Sequence, residues 1–327
     1  MDYAEIEKLT EKVKAENDFV VKIKEEIAKV IVGQEALVDR ILISYISGGH
    51  VLLEGLPGLA KTLAIRAFSR AIDTSFMRVQ FTPDLLPADL IGTRIYNPKE
   101  MDFFTKKGPI FTNLLLADEI NRAPAKVQSA LLQAMEEKQV TIGEETYTLE
   151  KPFMVLATEN PIEQEGTYPL PEAQLDRFFM KVLVDYPTHQ EEKEILNRFS
   201  DIKVDNVKKV LAPDKIAKKA EIIEKIYIDD KLIDYIVTIV GETRKPSRKE
   251  LKKYIEFGAS PRASIALMKA SRCIAFIRGR GFVTPDDVKE IGADVLRHRI
   301  ILSYEAEADG RNADDVVKML FDSVEVP

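Results

Sequence analysis

The chain has one cysteine, three histidines and no apolar run approaching the roughly 20 residues of a membrane span. The single thiol, Cys273, excludes an intrachain disulfide. It sits in the apolar helical run Cys273–Phe276, so a buried, inert thiol is expected. His50, His189 and His298 lie far apart, which leaves a histidine-based metal site with little support. Basic charge is in the minority: 47 Lys and Arg against 54 Asp and Glu give a net charge of −7. That argues against a constitutive nucleic-acid binder, though not against a local basic patch. The opening residues are acidic and polar and contain no apolar signal core, so the expectation is a soluble, cytoplasmic protein. What remains is ordinary: 327 residues, 45% apolar and 31% charged, enough for about two domains.

The most informative stretch is VLLEGLPGLAKT, Val51–Thr62. An apolar strand runs into a loop containing Gly55, Pro57, Gly58, Leu59 and Ala60, and a helix opens at Lys61-Thr62 and continues through Leu63. This is the layout of a phosphate-binding P-loop, in which backbone N–H groups and a helix N-terminus surround the phosphate oxygens. Lys61 would reach the β- and γ-phosphates of a nucleoside triphosphate, and the Thr62 hydroxyl would ligate Mg²⁺. The usual last glycine of the pattern is replaced by Ala60. Alanine is tolerated there if its φ is negative, since only positive φ demands glycine. Read alone, the stretch is also compatible with a plain Gly/Pro turn between strand and helix.

Apolar residues at helical spacing predict one or two amphipathic helices from Glu5 to about Val30, and another over Glu35–Ile46. Five apolar strand candidates follow: Val51–Leu53, Phe76–Phe81, Asn113–Ala117, Phe153–Ala157 and Met180–Val184. Strands alternating with helices predict an α/β fold with a parallel sheet and helices on both faces. Two segments exceed what such a sheet needs. Leu90–Pro109 and Gln139–Pro152 carry Gly and Asn-Pro punctuation between β-prone pieces and read as inserted hairpins, either functional or surface decoration. After Tyr186-Pro187 helical spacing dominates, which predicts a core over residues 1–189 and an all-α second domain over 190–327. Thr284-Pro285-Asp286-Asp287 is a helix start, with Thr284 as N-cap and Pro285 in the first position.

Five further positions could complete a nucleotide site. Leu114–Ala117 is an apolar strand ending in Asp118-Glu119: the first carboxylate would hold Mg²⁺ and the second could act as general base toward water. Asn160, after the strand Phe153–Ala157, could orient that water, or simply form a turn before Pro161. Arg177 precedes the last strand candidate and could reach a neighbouring subunit's nucleotide, or form a surface pair with Asp176. Arg262 lies in the first turn of a helix, where a cation opposes the helix dipole unless an anion binds, or it is an exposed arginine with no role.

In order along the chain, these stretches resemble the AAA+ ATPases, and within them the MoxR family of chaperone-like ATPases. The resemblance rests on VGQE (Val32–Glu35), EGLPGLAKT (Glu54–Thr62), QFTPDLLPADLIG (Gln80–Gly92) and Ala117–Gly143. It continues through Leu156–Phe178, GASPRA (Gly258–Ala263) and HRIILSYEAEA (His298–Ala308), and so covers nearly the whole chain. Members of the family share the alanine at position 60. The resemblance implies that Lys61, Thr62 and Asp118 hold MgATP, with Glu119 as base. It makes Asn160 sensor 1, Arg177 the arginine finger and Arg262 sensor 2, and sets Val32 and Gly33 near adenine. It also identifies the hairpins as the helix-2 insert and the pre-sensor-1 insert, and implies a homo-hexameric ring acting on partner proteins, often ones with von Willebrand factor A domains.

Three other functions compete. A nucleic-acid translocase would want uniformly basic hairpins. Here Leu90–Pro109 mixes Arg94, Lys99, Lys106 and Lys107 with Glu100 and Asp102, and Gln139–Pro152 sets Glu144, Glu145 and Glu150 against Lys151. A chelatase-like motor would need separate partner subunits. A scaffold that binds ATP without turnover would not need Glu119, Asn160 and Arg177 together.

Overall fold

A computed structural model describes residues 2–161, 166–199 and 203–327. The N-terminal amphipathic stretch folds as α1 (Tyr3–Glu16) and α2 (Asp18–Ala28), broken at Asn17, with Val13, Ile23 and Ile27 buried. After α3 (Glu35–Ile46) come β1 (Val51–Glu54), α4 (Lys61–Ala71), β2 (Phe76–Gln80) and α5 (Pro87–Ile91). Next are β3 (Gly92–Asn97), β4 (Asp102–Lys107), β5 (Leu114–Asp118), α6 (Ala125–Glu137), β6 (Gln139–Ile142) and β7 (Glu145–Thr148). The core closes with β8 (Met154–Glu159), α7 (Glu172–Leu175) and β9 (Met180–Leu183).

The five expected strands form one parallel sheet in the order β2-β5-β8-β1-β9. Both faces are covered, which is why β1, β5 and β8 read as unbroken apolar runs. Alternate side chains serve opposite faces. Val51, Leu53, Leu114, Leu116, Met154 and Leu156 join the hydrophobic cluster on the side of α3 and α4. Leu52, Leu115, Ala117, Val155 and Ala157 join the cluster with α6 residues Val127 and Leu131. The order matters for function: β5, β8 and β1 are neighbours, so Asp118, Glu159 and Glu54 end side by side at the carboxyl edge, where parallel sheets bind ligands. Both insertions are antiparallel hairpins: β3 pairs with β4, and β6 with β7.

The remaining elements are α8 (His189–Arg198), α9 (Pro213–Glu224), α10 (Asp230–Arg244), α11 (Lys249–Tyr254), β10 (Ile255–Phe257) and α12 (Pro261–Ile277). After them come α13 (Pro285–Leu296), β11 (Ile301–Leu302), α14 (Tyr304–Ala308) and α15 (Ala313–Phe321). The expectation of an all-α region is corrected in one detail: β10 and β11 pair antiparallel. Strands of three and two residues are too short to leave an alternating pattern in a sequence. The start of α13 is as expected, with Thr284 and Asp287 forming a capping box. Asp287 is fully buried and paired to Arg278 and Arg280 at 3.0 and 2.6 Å. The helical region is bound to the N-terminal helices, since Asn17 Nδ2 donates to Phe276 O and Arg40 pairs with Asp294 at 2.7 Å. Among the described residues no helix is long and apolar enough to cross a membrane.

Candidate functional site

The loop after β1 and the first turn of α4 wall a groove of about 380 Å³. Pro57, Gly58, Leu59, Ala60, Lys61, Thr62 and Leu63 line one side; Asp118, Glu119, Thr158, Glu159, Asn160 and Arg78 line the other. Helix α4 has no side-chain cap and no acidic residue in its first turn. Its opening amides therefore lack an intrahelical partner, which is the donor set a phosphate group needs. Lys61 folds back so that Nζ donates to Gly55 O at 2.5 Å. Burial pulls the Lys61 ammonium below its ordinary range, against the opposing pull of Asp118, Glu119 and Glu54. A half-buried lysine resting on a carbonyl is ready to exchange that contact for an anion.

Ala60 departs from expectation. Its φ is +57°, in the left-handed region, and not the negative φ that would have excused an alanine. Gly58 is also left-handed, at φ +87°. The chain reverses so sharply between β1 and α4 that loop closure, and not residue preference, sets these angles. Holding an L-residue there costs roughly 1–2 kcal/mol, and the exposed Ala60 methyl packs on little to offset it. Ala60→Gly should therefore raise stability by about 0.5–1 kcal/mol after the added entropy of glycine in the unfolded chain. Chemical denaturation without nucleotide measures this, and a loss of stability would mean the methyl makes compensating contacts.

The carboxylates are held by a network that the sequence did not disclose. Asp118 Oδ1 accepts from Thr158 Oγ1 at 2.6 Å, and Oδ2 accepts from Arg78 Nε and Nη2 at 2.9 and 2.6 Å. Glu119 Oε2 accepts from Gln80 Nε2 at 2.8 Å and from Arg122 Nη1 at 3.0 Å. Glu119 is itself left-handed, at φ +56°, and its N–H donates to Thr158 Oγ1 at 2.8 Å. Strained backbone of this kind costs about 1–3 kcal/mol and persists where the surroundings over-determine it. Neighbouring Glu159 is pushed up from the usual carboxylate range, chiefly by burial, against the pull of Lys181 and with help from Glu54. Arg78 and Gln80 lie on edge strand β2, beside β5, where the register sets Gln80 opposite Asp118. The one sequence signal was two polar residues at period two in an otherwise apolar strand.

Arg177 and Arg262 are not brought to this groove. They line a separate cavity of about 150 Å³ with His50, Met135 and Glu136. Arg177 Nη1 donates to Leu132 O at 3.1 Å and pairs with Glu136 Oε2 at 3.0 Å, while Arg262 pairs with Glu136 Oε1 at 2.6 Å. His50 is neutral here, because burial lowers its pKa to about 4. Val32 is buried and Gly33 is left-handed at φ +66°, where a Cβ would strike the Glu191 carboxylate at 2.2 Å. Neither lines the P-loop groove; Gly33 borders another cavity with Ile27 and Val38. Within the Leu156–Phe178 stretch, residues 162–165 lie outside the described part.

A parallel sheet with a P-loop, an acidic strand end and a polar strand end beside it defines a P-loop nucleotide-binding protein of the AAA+ type. The model of the ATPase family associated with various cellular activities matches residues 50–180, and an AAA lid domain model matches 248–320. The chain is 48% identical over 305 residues to chaperone MoxR1 of Mycobacterium tuberculosis, covering 92% of this chain and 81% of that one. Protein MoxR of Methylorubrum extorquens is 29% identical over 95% of this chain and 96% of its own. A crystal structure of a candidate ATPase from Cytophaga hutchinsonii superposes with a TM-score of 0.90 at 46% identity, over 98% of each chain. The chain belongs to the MoxR family of AAA+ ATPases.

Proposed function

We propose that this chain hydrolyses ATP at sites shared between subunits of a homo-hexameric ring and uses the cycle to remodel or mature partner proteins. The observation that carries the shared site is the position of the two arginines. One chain supplies a phosphate groove with Lys61, Thr62, Asp118, Glu119 and Asn160, yet Arg177 and Arg262 line a different cavity. A neighbour's groove is the destination their charge fits. Lys61 and the loop amides bind the phosphates, Thr62 and Asp118 are the oxygen donors suited to Mg²⁺, Asn160 orients the water, and Glu119 accepts its proton. Bound Mg²⁺ would supply charge neutralisation at the phosphate oxygens. The products are ADP and phosphate.

The name of the mycobacterial relative supports a chaperone-like role. The hairpins support polypeptide clients over nucleic acid: Met101, Phe103 and Phe104 are exposed on the first, and Glu144, Glu145 and Glu150 on the second. Partners with von Willebrand factor A domains are the client class we favour, supplied by other chains. Turnover per subunit should rise steeply with protein concentration and level off as a species of six times the 37.0 kDa subunit mass appears in mass photometry. Turnover that is independent of concentration, in a species that stays monomeric, would overturn the shared site.

A further inference from the structure

Arg177 sits in the turn between α7 and β9, and three consecutive lid residues hold that turn and the start of β9. Arg297 Nη1 donates to Lys181 O at 2.6 Å, and His298 Nε2 meets Phe178 O at 3.1 Å. Arg299 is almost completely buried and makes the densest set of contacts. Its Nε donates to Asp176 Oδ1 at 2.8 Å, its Nη2 to Asp176 O at 3.3 Å and Phe178 O at 2.5 Å, and its Nη1 to Phe179 O at 3.2 Å and Val295 O at 2.5 Å. The guanidinium thus holds the carbonyls on both sides of Arg177. The second Asp176 oxygen accepts from Ser260 Oγ at 2.8 Å, the N-cap of the helix that carries Arg262. The Arg177 guanidinium itself points elsewhere, to Leu132 O and Glu136.

A buried cation carries a large desolvation cost, and apolar packing could dock a lid as firmly. What a guanidinium adds is direction, because its rigid planar fork fixes the acceptors around it. We infer that Arg299 is a positioning residue for Arg177: by clamping the backbone on both sides of it, Arg299 makes the lid's placement set the reach of Arg177 toward a neighbour's phosphates. This rests on Arg177 acting between subunits.

The test uses mixed rings of full-length chains. Arg299→Gln should lower turnover at least tenfold while the ATP concentration for half-saturation stays within about threefold, and Arg299→Lys should recover part of the loss. Mixed with Lys61→Ala subunits, which lack an ATP site but carry a well-placed Arg177, Arg299→Gln subunits should regain activity. Mixed with Arg177→Ala subunits they should not. A merely structural fault in the lid would damage the subunit's own ATP site, so Lys61→Ala partners could not rescue it. If Arg299→Gln does not fold, Asp176→Asn, which keeps the side-chain volume and removes the charge, carries the same test. Unchanged turnover, or rescue of Arg177→Ala but not of Arg299→Gln by Lys61→Ala, overturns the proposal alone. Failure of Arg177→Ala to be rescued would overturn action between subunits and this proposal with it.

Discussion

Glu119→Gln is expected to lower kcat by about 10²–10⁴ while leaving ATP affinity within a few-fold, as removal of a general base does. Glutamine keeps the volume and can still accept from Gln80 and Arg122, which hold Glu119 Oε2 at 2.8 and 3.0 Å. The backbone around it is set independently of the carboxylate, by the Glu119 N–H bond to Thr158 Oγ1. What glutamine loses is the capacity to take a proton from water. Affinity is expected to come chiefly from Lys61 and the amides at the start of α4; the substitution leaves the amides in place and removes only one of the three carboxylates that act on the Lys61 ammonium. Steady-state turnover and binding of a fluorescent ATP analogue measure the two effects separately, and unchanged turnover would remove Glu119 from the base role. The same variant, held with ATP bound, is the reagent for capturing a client.

The parts of this molecule that were legible in its sequence are those whose physics is local. The strands β1, β5 and β8 are buried on both faces, so their sequences are apolar up to the carboxyl edge. The hairpins were marked by turn residues, and α13 by its own cap. The Ala60 angle was not legible, because φ +57° is imposed by how the loop closes between β1 and α4, not by the alanine. The carboxylate network was hidden for another reason. Arg78 and Gln80 reach Asp118 and Glu119 only because β2 lies next to β5, some 40 positions along the chain. Glu136 lay unremarked within the Ala117–Gly143 stretch, yet it is the shared partner of Arg177 and Arg262. Arg299 stood in a recognisable lid stretch, but its burial against Asp176 required the lid to be docked.

Arg177→Ala is expected to have the largest effect, a fall in turnover of roughly 10³–10⁵ with ATP affinity largely kept. At 1.36 kcal/mol per tenfold, that is about 4–7 kcal/mol of transition-state stabilisation from one side chain. Nothing in the chain's own groove would account for such a loss, since Arg177 lines a separate cavity and pairs with Glu136. The pair is no obstacle to reaching a neighbour. Both side chains remain partly exposed, at 32% and 45%, and ion pairs of that kind are worth about 0–1 kcal/mol. A nucleotide phosphate carries more charge than one carboxylate and can displace it. Mixing then separates two geometries. In a ring joined head to tail, an Arg177→Ala subunit offers an intact groove and a Lys61→Ala subunit an intact arginine. At equal proportions about a quarter of the interfaces combine the two in the productive order. Activity should therefore return in the mixture, although each variant alone is nearly inactive. If Arg177 served the groove of its own chain, every subunit in the mixture would lack one essential group, and no proportion of the two would restore turnover.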